Sequence, residues 1–270
     1  MNHSNTRLST AEIISNQEIC PGYFRMRIAC GKAYQDAMPG QFVMVRLADQ
    51  LRPLLRRPFS IHNLILDGER VVGFEILYKL VGDGTRILSL STARDHLEVL
   101  GPLGHGFSTK GNLSRIHMVA GGIGVAPFVF LTNHLIRQGI SGSHIKLFMG
   151  GRSADDLLCL EIFDRLGLRM QITTDDGSAG DQCLVTQPLG EALIKDSPDI
   201  LFACGPIPML REVMGIASRA DIPCQVSIET MMACGMGACL GCAVENRDSP
   251  EKYLHTCMDG PVFEAGRIKI

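Results

Sequence analysis

The chain has 270 residues, of which 46% are hydrophobic and 20% are charged, and its net charge is −2. This length is enough for two domains or one large one, the composition supports packed cores, and the sequence holds neither a basic block typical of nucleic-acid binding nor an acidic disordered tail. The longest apolar run is interrupted by three glycines and a proline, and the first residues lack the apolar core of a signal peptide. We therefore expect a cytoplasmic protein that binds neither nucleic acid nor membrane.

Residues 1–110 carry the pattern of a small β-barrel or sandwich. Short runs rich in β-branched and aromatic residues are separated by Gly and Pro at intervals of about ten residues. The predicted strands are GYFRMRIAC, QFVMVRL, RPFSIHNL, VVGFEILYKL and DHLEVLGPLG.

Two segments of this region have residues suited to a phosphate. In LLRRPFSI, Arg56 and Arg57 lie in an apolar run, and a guanidinium binds phosphate oxygens in a bidentate way. In LYKLVGDGT, Gly82, Gly84 and Thr85 predict a tight turn with free backbone amides. A solvated arginine pair and an ordinary hairpin turn are the alternative interpretations of these residues.

Residues 111–228 alternate between predicted strands and helices, which indicates a parallel sheet with helices on its faces. The strands are RIHMVA, HIKLFMGG, LRMQITTDDG, DILFACG and CQVSIE. The helices are FVFLTNHLIRQG, SADDLLCLEIFDRLG, TQPLGEALIK and PIPMLREVMGIASRA. Ser153 and Asp156 are placed to form a capping box at the start of the second helix.

Two turns at the predicted carboxyl edge of this sheet are candidate nucleotide sites. AGGIGVAPF follows a strand and opens a helix, where phosphates bind, although Pro127 stands where the dinucleotide fingerprint has its third glycine. In FACGPIPM, Cys204 and Gly205 end a strand and Pro206 starts a helix. A cysteine at this point is placed to pack against a flat ring, and a plain strand-to-helix turn is the alternative. The strict fingerprint is thus disfavoured, and a related nucleotide site is expected.

Four of the ten cysteines are clustered near the C-terminus. Cys234, Cys239 and Cys242 have the spacing C-x4-C-x2-C, and Cys257 follows after fourteen residues. This is the ligand order of plant-type [2Fe–2S] proteins, and intervening glycines permit a tight turn around a cluster. A structural zinc site and unliganded thiols are the alternatives. Five other cysteines are expected to be small buried hydrophobic residues, namely Cys20, Cys30, Cys159, Cys183 and Cys224.

The motifs RPFS, GDGT, GGIGVAPF and CGPIPM, in this order, resemble the ferredoxin–NADP reductase superfamily. The segment from SIETMMACGMGACLGCAVE to CMDGPVF is similar to electron-transfer subunits of heteromeric dihydroorotate dehydrogenases. The resemblance implies a FAD-binding β-barrel over 1–110, an NAD-binding α/β domain over 111–228 and a [2Fe–2S] segment over 229–270.

The resemblance also implies a role for individual residues. FAD is expected at Arg57, Pro58, Phe59, Ser60, Leu77, Tyr78, Lys79, Gly84 and Thr85. NADH is expected at Gly121, Gly122, Gly124, Cys204, Gly205 and Pro206, and the cluster at Cys234, Cys239, Cys242 and Cys257. Ser60 and Cys204 are the residues expected to take part in catalysis, Ser60 as a hydrogen-bond partner near the flavin N5.

The function implied by the resemblance is electron transfer between NAD(H) and a partner subunit. A flavin exchanges two electrons with NADH and one at a time with a cluster, so FAD is expected between them. The expected partner is an FMN-containing catalytic subunit that oxidises dihydroorotate in pyrimidine biosynthesis, in a heterotetramer of two plus two chains. The alternatives are a subunit of a ferredoxin:NADP transhydrogenase or sulfide dehydrogenase, and a non-catalytic adaptor stabilised by zinc.

Overall fold

The computed structural model describes residues 7–48 and 54–270, and its first unit is a β-barrel. The barrel strands are β1 (Arg7–Cys20), β2 (Tyr23–Ala29), β3 (Phe42–Leu47), β4 (Arg57–Asp67), β5 (Arg70–Lys79) and β6 (His96–Leu103). They close in the order β1-β2-β5-β4-β3-β6 with antiparallel neighbours. The predicted barrel is confirmed. The sequence pattern does not predict β1, because only Ala11 and Ile13 of its 14 residues are buried.

A short helix, α1 (Asp83–Ser89), occupies the segment that was predicted to be a tight turn. The Thr85 hydroxyl accepts hydrogen bonds from the backbone N–H groups of Val81 (2.9 Å) and Gly82 (3.1 Å). These bonds satisfy amides at the helix start, so GDGT begins a helix instead of closing a hairpin.

The second unit is an α/β domain. Its parallel strands are β7 (Ile116–Gly121), β8 (Ile145–Gly151), β9 (Arg169–Thr174), β10 (Ile200–Cys204) and β11 (Cys224–Ser227). Its helices are α2 (Phe128–Arg137), α3 (Leu160–Arg165), α4 (Thr186–Lys195) and α5 (Ile207–Arg219). The predicted alternation and parallel sheet are confirmed.

The long helix predicted over 153–167 is wrong in its first half. A single helical turn at Ala154–Asp156 is followed by a break, and Cys159 has a left-handed φ of 63° immediately before α3. Ser153 makes no side-chain cap. The Asp156 carboxylate instead binds Tyr23 and Lys79 of the barrel, so a contact between domains replaces the expected capping box.

The C-terminal segment contains β12 (Ala243–Asn246), β13 (Tyr253–His255), α6 (Thr256–Asp259), β14 (Val262–Glu264) and β15 (Ile268–Lys269). Strand β14 pairs antiparallel with β11, so the large sheet has the order β14-β11-β10-β7-β8-β9. The other three strands form a small sheet in the order β13-β12-β15. The segment is therefore anchored on the edge of the α/β domain.

The barrel and the α/β domain share one interface. His62 of β4 hydrogen-bonds through Nδ1 to the Ala126 carbonyl oxygen at 2.6 Å, and Asn133 of α2 donates to Asn63 at 3.2 Å. Barrel residue Tyr23 belongs to the same apolar core as the sheet. In the described part of the chain, no helix is long and apolar enough to cross a membrane.

Candidate functional site

A cavity of about 450 Å³ lies between the barrel and the carboxyl edge of the sheet, and we call it the barrel cavity. It is lined by all but three of the residues predicted to bind a nucleotide. These lining residues are Pro58, Phe59, Ser60, Leu77, Tyr78, Lys79, Thr85, Gly121, Gly124, Cys204, Gly205 and Pro206. The structure thus brings the RPFS, LYK, GGIG and CGP motifs together around one space.

One wall of the barrel cavity is aromatic and rigid. The Tyr78 ring lies 5.7 Å from the Phe59 ring and stacks on Phe24 at 5.4 Å. The Tyr78 hydroxyl donates a hydrogen bond to Asn16 at 3.0 Å, and burial raises its pKa to about 12. A neutral, fixed ring of this kind suits contact with a flat cofactor.

The two arginines of LLRRPFSI have different surroundings. Arg56 forms an ion pair with Glu98, with a distance of 2.7 Å from Nη2 to Oε2. Arg57 lies beside the start of α1, where a Cβ added to Gly84 would stand 3.0 Å from its Nε. Arg57 and Gly84 therefore adjoin each other next to the cavity, although neither lines it.

Close backbone packing joins the two glycine turns at the carboxyl edge of the sheet. A Cβ on Gly124 would collide with the Cys204 carbonyl oxygen, and one on Gly121 would come within 2.7 Å of Pro206 Cδ. Neighbouring strands β7 and β10 thus deliver both turns to the same wall of the cavity. Both positions require glycine, because the surrounding atoms leave no room for a Cβ.

Cys204 presents a neutral thiol in this wall. Burial raises its pKa to about 12, although a hydrogen bond with Ser227 acts in the opposite direction. A protonated thiol is a poor nucleophile, so the site fits a packing or hydrogen-bonding role for Cys204. Ser60 lines the same cavity.

A second cavity of about 840 Å³ continues along the carboxyl edge of the sheet, and we call it the sheet cleft. It contains Gly122, the one residue of the predicted NADH set that does not line the barrel cavity. The two spaces share Lys79, Gly121, Ile123 and Pro206. The cavities therefore adjoin, as a hydride donor and its acceptor require.

The four clustered cysteines form two pairs in the structure. Cys242 and Cys257 are buried, with their Sγ atoms 3.3 Å apart. Cys234 Sγ accepts a hydrogen bond from the Cys239 backbone N–H at 3.4 Å, and Gly237 N–H donates to Cys257 Sγ at 3.2 Å. Within residues 7–48 and 54–270, no three His, Cys, Asp or Glu side chains are grouped closely enough to hold one metal ion.

This arrangement fits a binuclear cluster, in which each of two irons takes two of four thiolates. Backbone amides lower the pKa of Cys239 to about 7 and so favour the thiolate that binds iron. Burial and the neighbouring Cys242 raise the pKa of Cys257 to about 12, because two buried thiolates in contact repel each other. A cation is the partner that relieves this repulsion.

The segment 234–242, called the cysteine loop, packs on the outside of strands β3 and β6. Cys242 and Cys257 share an apolar cluster with Phe42, Met44, Leu100 and Leu103, and Met232 packs against it. Phe42 and Met232 also line the barrel cavity. One apolar cluster therefore contains the Cys242 and Cys257 thiols and also reaches the barrel cavity.

Comparison with known proteins gives a family match over nearly the whole chain. Residues 118–215 match the oxidoreductase NAD-binding domain, and residues 229–269 match the iron–sulfur cluster binding domain of dihydroorotate dehydrogenase B. The electron transfer subunit of dihydroorotate dehydrogenase B (NAD(+)) from Desulforamulus reducens is 33% identical over 265 residues, with 97% of this chain and 98% of the relative covered. The same subunit from Caldanaerobacter subterraneus subsp. tengcongensis is 36% identical over 260 residues, covering 96% and 97%.

The chain belongs to the family of dihydroorotate dehydrogenase B electron transfer subunits. The predicted family is thereby confirmed, and the iron–sulfur match favours iron over the zinc alternative.

Solved structures confirm the fold of this family member. A chain from an NADH-dependent reduced ferredoxin–NADP oxidoreductase, described for flavin-based electron bifurcation, has a TM-score of 0.82 at 28% identity, covering 97% of this chain and 90% of that chain. A ferredoxin NADP+ reductase from Neisseria gonorrhoeae with bound FAD and NADP has a TM-score of 0.62 at 16% identity, covering 79% and 91%.

Sequence reasoning missed several residues that line the site. Phe42, Ser227, Thr230 and Met232 line the barrel cavity, and Asp156 lines the sheet cleft. The run SIETMM is separated from the first clustered cysteine only by Ala233, which is a signal that this segment links the barrel cavity and the cysteine loop. Phe42 lacked such a signal, because its position depends on how the barrel packs.

Proposed function

We propose that the chain is the electron transfer subunit of an NAD-dependent dihydroorotate dehydrogenase, with FAD in the barrel cavity, [2Fe–2S] at the four cysteines and NAD(H) in the sheet cleft. The observation that carries this proposal is the apolar cluster that holds the Cys242 and Cys257 thiols and that also lines the barrel cavity through Phe42 and Met232. Adjacent sites in this order suit electron transfer between a nucleotide and a cluster.

The residues of the chain position and enclose these groups. A bound flavin supplies the exchange between two-electron and one-electron chemistry, which the side chains cannot perform. Phe59 and Tyr78 are proposed to fix the flavin ring, and Arg57, Gly84 and Thr85 to hold its phosphates. Ser60 and Cys204 are proposed to lie beside the reacting ring, where a neutral thiol excludes water without attacking the nicotinamide.

The charges of the sheet cleft suit NAD(H) better than its 2′-phosphorylated form. Asp175 and Glu212 line the cleft, and the two cations that also line it, Lys79 and Arg152, are both paired with Asp156, at 3.1 Å and 3.2 Å. Acidic groups accept hydrogen bonds from ribose hydroxyls and repel an added phosphate. This supports NADH as the coenzyme.

The face around the cysteine loop is proposed to bind the partner subunit that carries FMN. Met231, Met236 and Leu240 are 90%, 52% and 59% exposed around the exposed Cys239. Apolar side chains grouped on a surface are typical of a protein interface. Docking here brings the cluster next to the partner, and we propose a cytoplasmic assembly of two plus two chains.

The division of labour can be tested with the purified chain. It should oxidise NADH with an artificial acceptor and should not reduce NAD with dihydroorotate, because oxidation at carbon needs a general base and a second flavin face. Addition of the FMN-bearing subunit should create NAD-linked dihydroorotate turnover. Robust dihydroorotate turnover by the chain alone would contradict the subunit assignment.

A second candidate partner is ferredoxin. The related chain of the ferredoxin–NADP oxidoreductase covers nearly the whole length at 28% identity. Co-purification from the native host discriminates the two, since the bound chain is either an FMN-bearing dihydroorotate oxidising subunit or a ferredoxin-linked subunit.

A further inference from the structure

Strand β4 of the barrel contains one extra residue, His62. Ile61 pairs with Ile76 of β5, and Asn63 pairs with Glu75, which is only one residue away from Ile76. Two steps along β4 therefore match one step along β5, and His62 is the additional residue of a β-bulge. A bulge redirects the side chains beside it, and bulges are common next to active sites.

The bulge directs two neighbouring side chains toward the α/β domain. Ile61 and Leu64 both belong to the barrel core, so the two residues between them, His62 and Asn63, face outward together. His62 is fully buried, and its Nδ1 lies 2.6 Å from the Ala126 carbonyl oxygen. Asn63 accepts a hydrogen bond of 3.2 Å from a side chain of α2. The bulge thus joins the two domains by polar contacts.

The contacts of the His62 ring determine its tautomer. A carbonyl oxygen can only accept, so Nδ1 carries the proton that is donated to Ala126. Burial lowers the pKa of His62 to about 4, so the ring is neutral at neutral pH and its Nε2 is an acceptor. Cys159 Sγ lies 4.0 Å from Nε2, and burial raises the pKa of Cys159 to about 12. The protonated thiol therefore donates to the ring and favours the tautomer that binds Ala126.

The segment 121–127, called the first glycine turn, is held by this hydrogen bond. Ala126 belongs to the turn and lines the barrel cavity. Ser60, two residues before His62 on β4, lines the same cavity from the barrel. The bond between His62 and Ala126 is therefore a short link between the strand proposed to hold the flavin and the turn proposed to hold the nicotinamide. A misplacement of about 1 Å between two reactants can lower a rate about a hundredfold.

We propose that His62 is a positioning residue for hydride transfer, whose Nδ1–H fixes the first glycine turn relative to β4 and so sets the separation of nicotinamide and flavin. Cys159 holds the donating tautomer. This inference rests on the placement of FAD and NAD(H) proposed above. It gives Cys159 a role beyond that of the buried hydrophobic residue predicted from sequence.

Two substitutions in the full chain with its cofactors test whether the donor matters. His62→Leu fills most of the space and removes the donor, whereas His62→Asn places an amide N–H near the position of Nδ1. Stopped-flow reduction of the flavin at saturating NADH should be slowed about tenfold in His62→Leu, because the turn moves. His62→Asn should stay within about threefold of the unaltered chain, and the Kd of NAD+ should change less than about threefold in both variants, since no contact with the coenzyme is removed.

Hydrogen–deuterium exchange measures the position of the turn without the reaction. The Ala126 N–H donates to the Ile123 carbonyl oxygen at 3.0 Å, so loosening of the turn exposes this amide. Exchange over residues 121–127 should be about fivefold faster in His62→Leu than in the unaltered chain, as expected for the loss of one hydrogen bond, and His62→Asn should restore it. Exchange in α4 should be the same in all three chains.

Two outcomes would overturn the assignment. An unchanged rate and unchanged exchange in His62→Leu would mean that His62 only fills space. An equal loss in His62→Leu and His62→Asn would mean that the donor has no part in the effect. Failure of NADH to reduce the flavin of the unaltered chain would contradict the proposed function instead, whereas the exchange result would still test the link. FAD and iron content show that each variant is folded.

Cys159→Ala tests the tautomer and leaves His62 in place, so it also decides the question if His62→Leu does not fold. Without the thiol donor the proton can move to Nε2, which turns the Nδ1 lone pair toward the Ala126 carbonyl oxygen. The limiting rate should fall about threefold, and the same substitution should have no effect in a His62→Asn chain, because an amide has no tautomer to lose. Equal effects in the two backgrounds would show that Cys159 does not act through His62.

Discussion

The nucleotide region, meaning the barrel cavity and the sheet cleft, and the cysteine loop both rely on glycine turns, but packing holds these turns differently. Gly124 lies against backbone atoms at the end of β10, and the next two residues, Val125 and Ala126, belong to the buried apolar core. The cysteine loop has positive φ at Gly235, Gly237 and Leu240, and Cys239 is exposed. The comparison indicates that contact with backbone preforms the nucleotide region, whereas Gly235 and Gly237 of the cysteine loop lie against the side chains of Met44 and Met258, and bound metal should add to the stability of the loop.

The largest effect should come from removing a thiol, which separates the two regions. Cys239→Ser should abolish the cluster, because one of four ligands is lost, while FAD stays bound and NADH still reduces it. Iron analysis and visible absorption measure both results. Cys183→Ser, at a cysteine outside the loop, should keep the cluster. Loss of flavin reduction in a folded Cys239→Ser chain would contradict the proposed order of electron transfer.

Acid should destabilise the barrel and the α/β domain through two buried histidines. Burial lowers the pKa of His62 and of His117 from 6.5 to about 4. The folded state thus binds these protons less readily than the unfolded chain does. The free energy of unfolding is therefore greatest above about pH 6.5, and it falls as the pH decreases toward 4, by up to about 3 kcal/mol for each histidine. Urea unfolding of Cys239→Ser, followed by flavin fluorescence, measures this without interference from the cluster.

His117→Leu should reduce the acid-dependent loss in the free energy of unfolding by about half. Both ring nitrogens of His117 are without a hydrogen-bond partner among the described residues, so leucine removes a proton site without leaving a group unpaired. A slope equal to that of the unaltered chain would show that His117 is not responsible.

Gly124→Ala tests whether the nucleotide region depends on close packing. The new Cβ would collide with the Cys204 carbonyl oxygen, and the turn must move to relieve this. We expect a loss of about 1–3 kcal/mol in the free energy of unfolding and weaker binding of NAD+, with the iron content unchanged. Gly190→Ala is the control, because a Cβ there meets no atom within 4 Å. Equal stability of the two variants would contradict a packed turn.

The sequence predicts the parts of the site that depend on local pattern. Strand periodicity predicts the barrel and sheet, and the cysteine spacing predicts the paired thiols, because each signal lies within a short stretch of chain. The contact of Asp156 with the barrel is not predictable in this way. Tyr23 and Asp156 are 133 residues apart, and they meet only because the barrel packs on the sheet. The local sequence pattern predicts that Asp156 caps a helix, whereas in the structure its carboxylate contacts the barrel.

The smallest effect should distinguish two glycines of the cysteine loop. Gly235 has a φ of 72°, and a Cβ there would stand 2.6 Å from Met44 Cγ, whereas a Cβ on Gly241 would meet only Cys239 Sγ at an ordinary 3.7 Å. Gly235→Ala should cost about 1–2 kcal/mol in the folded loop, because alanine is strained in the left-handed region. It should lower iron occupancy and leave FAD binding intact, and Gly241→Ala should retain its iron. Equal iron content in the two variants would show that the loop backbone accommodates alanine at position 235, and that bound metal alone determines the conformation of the loop.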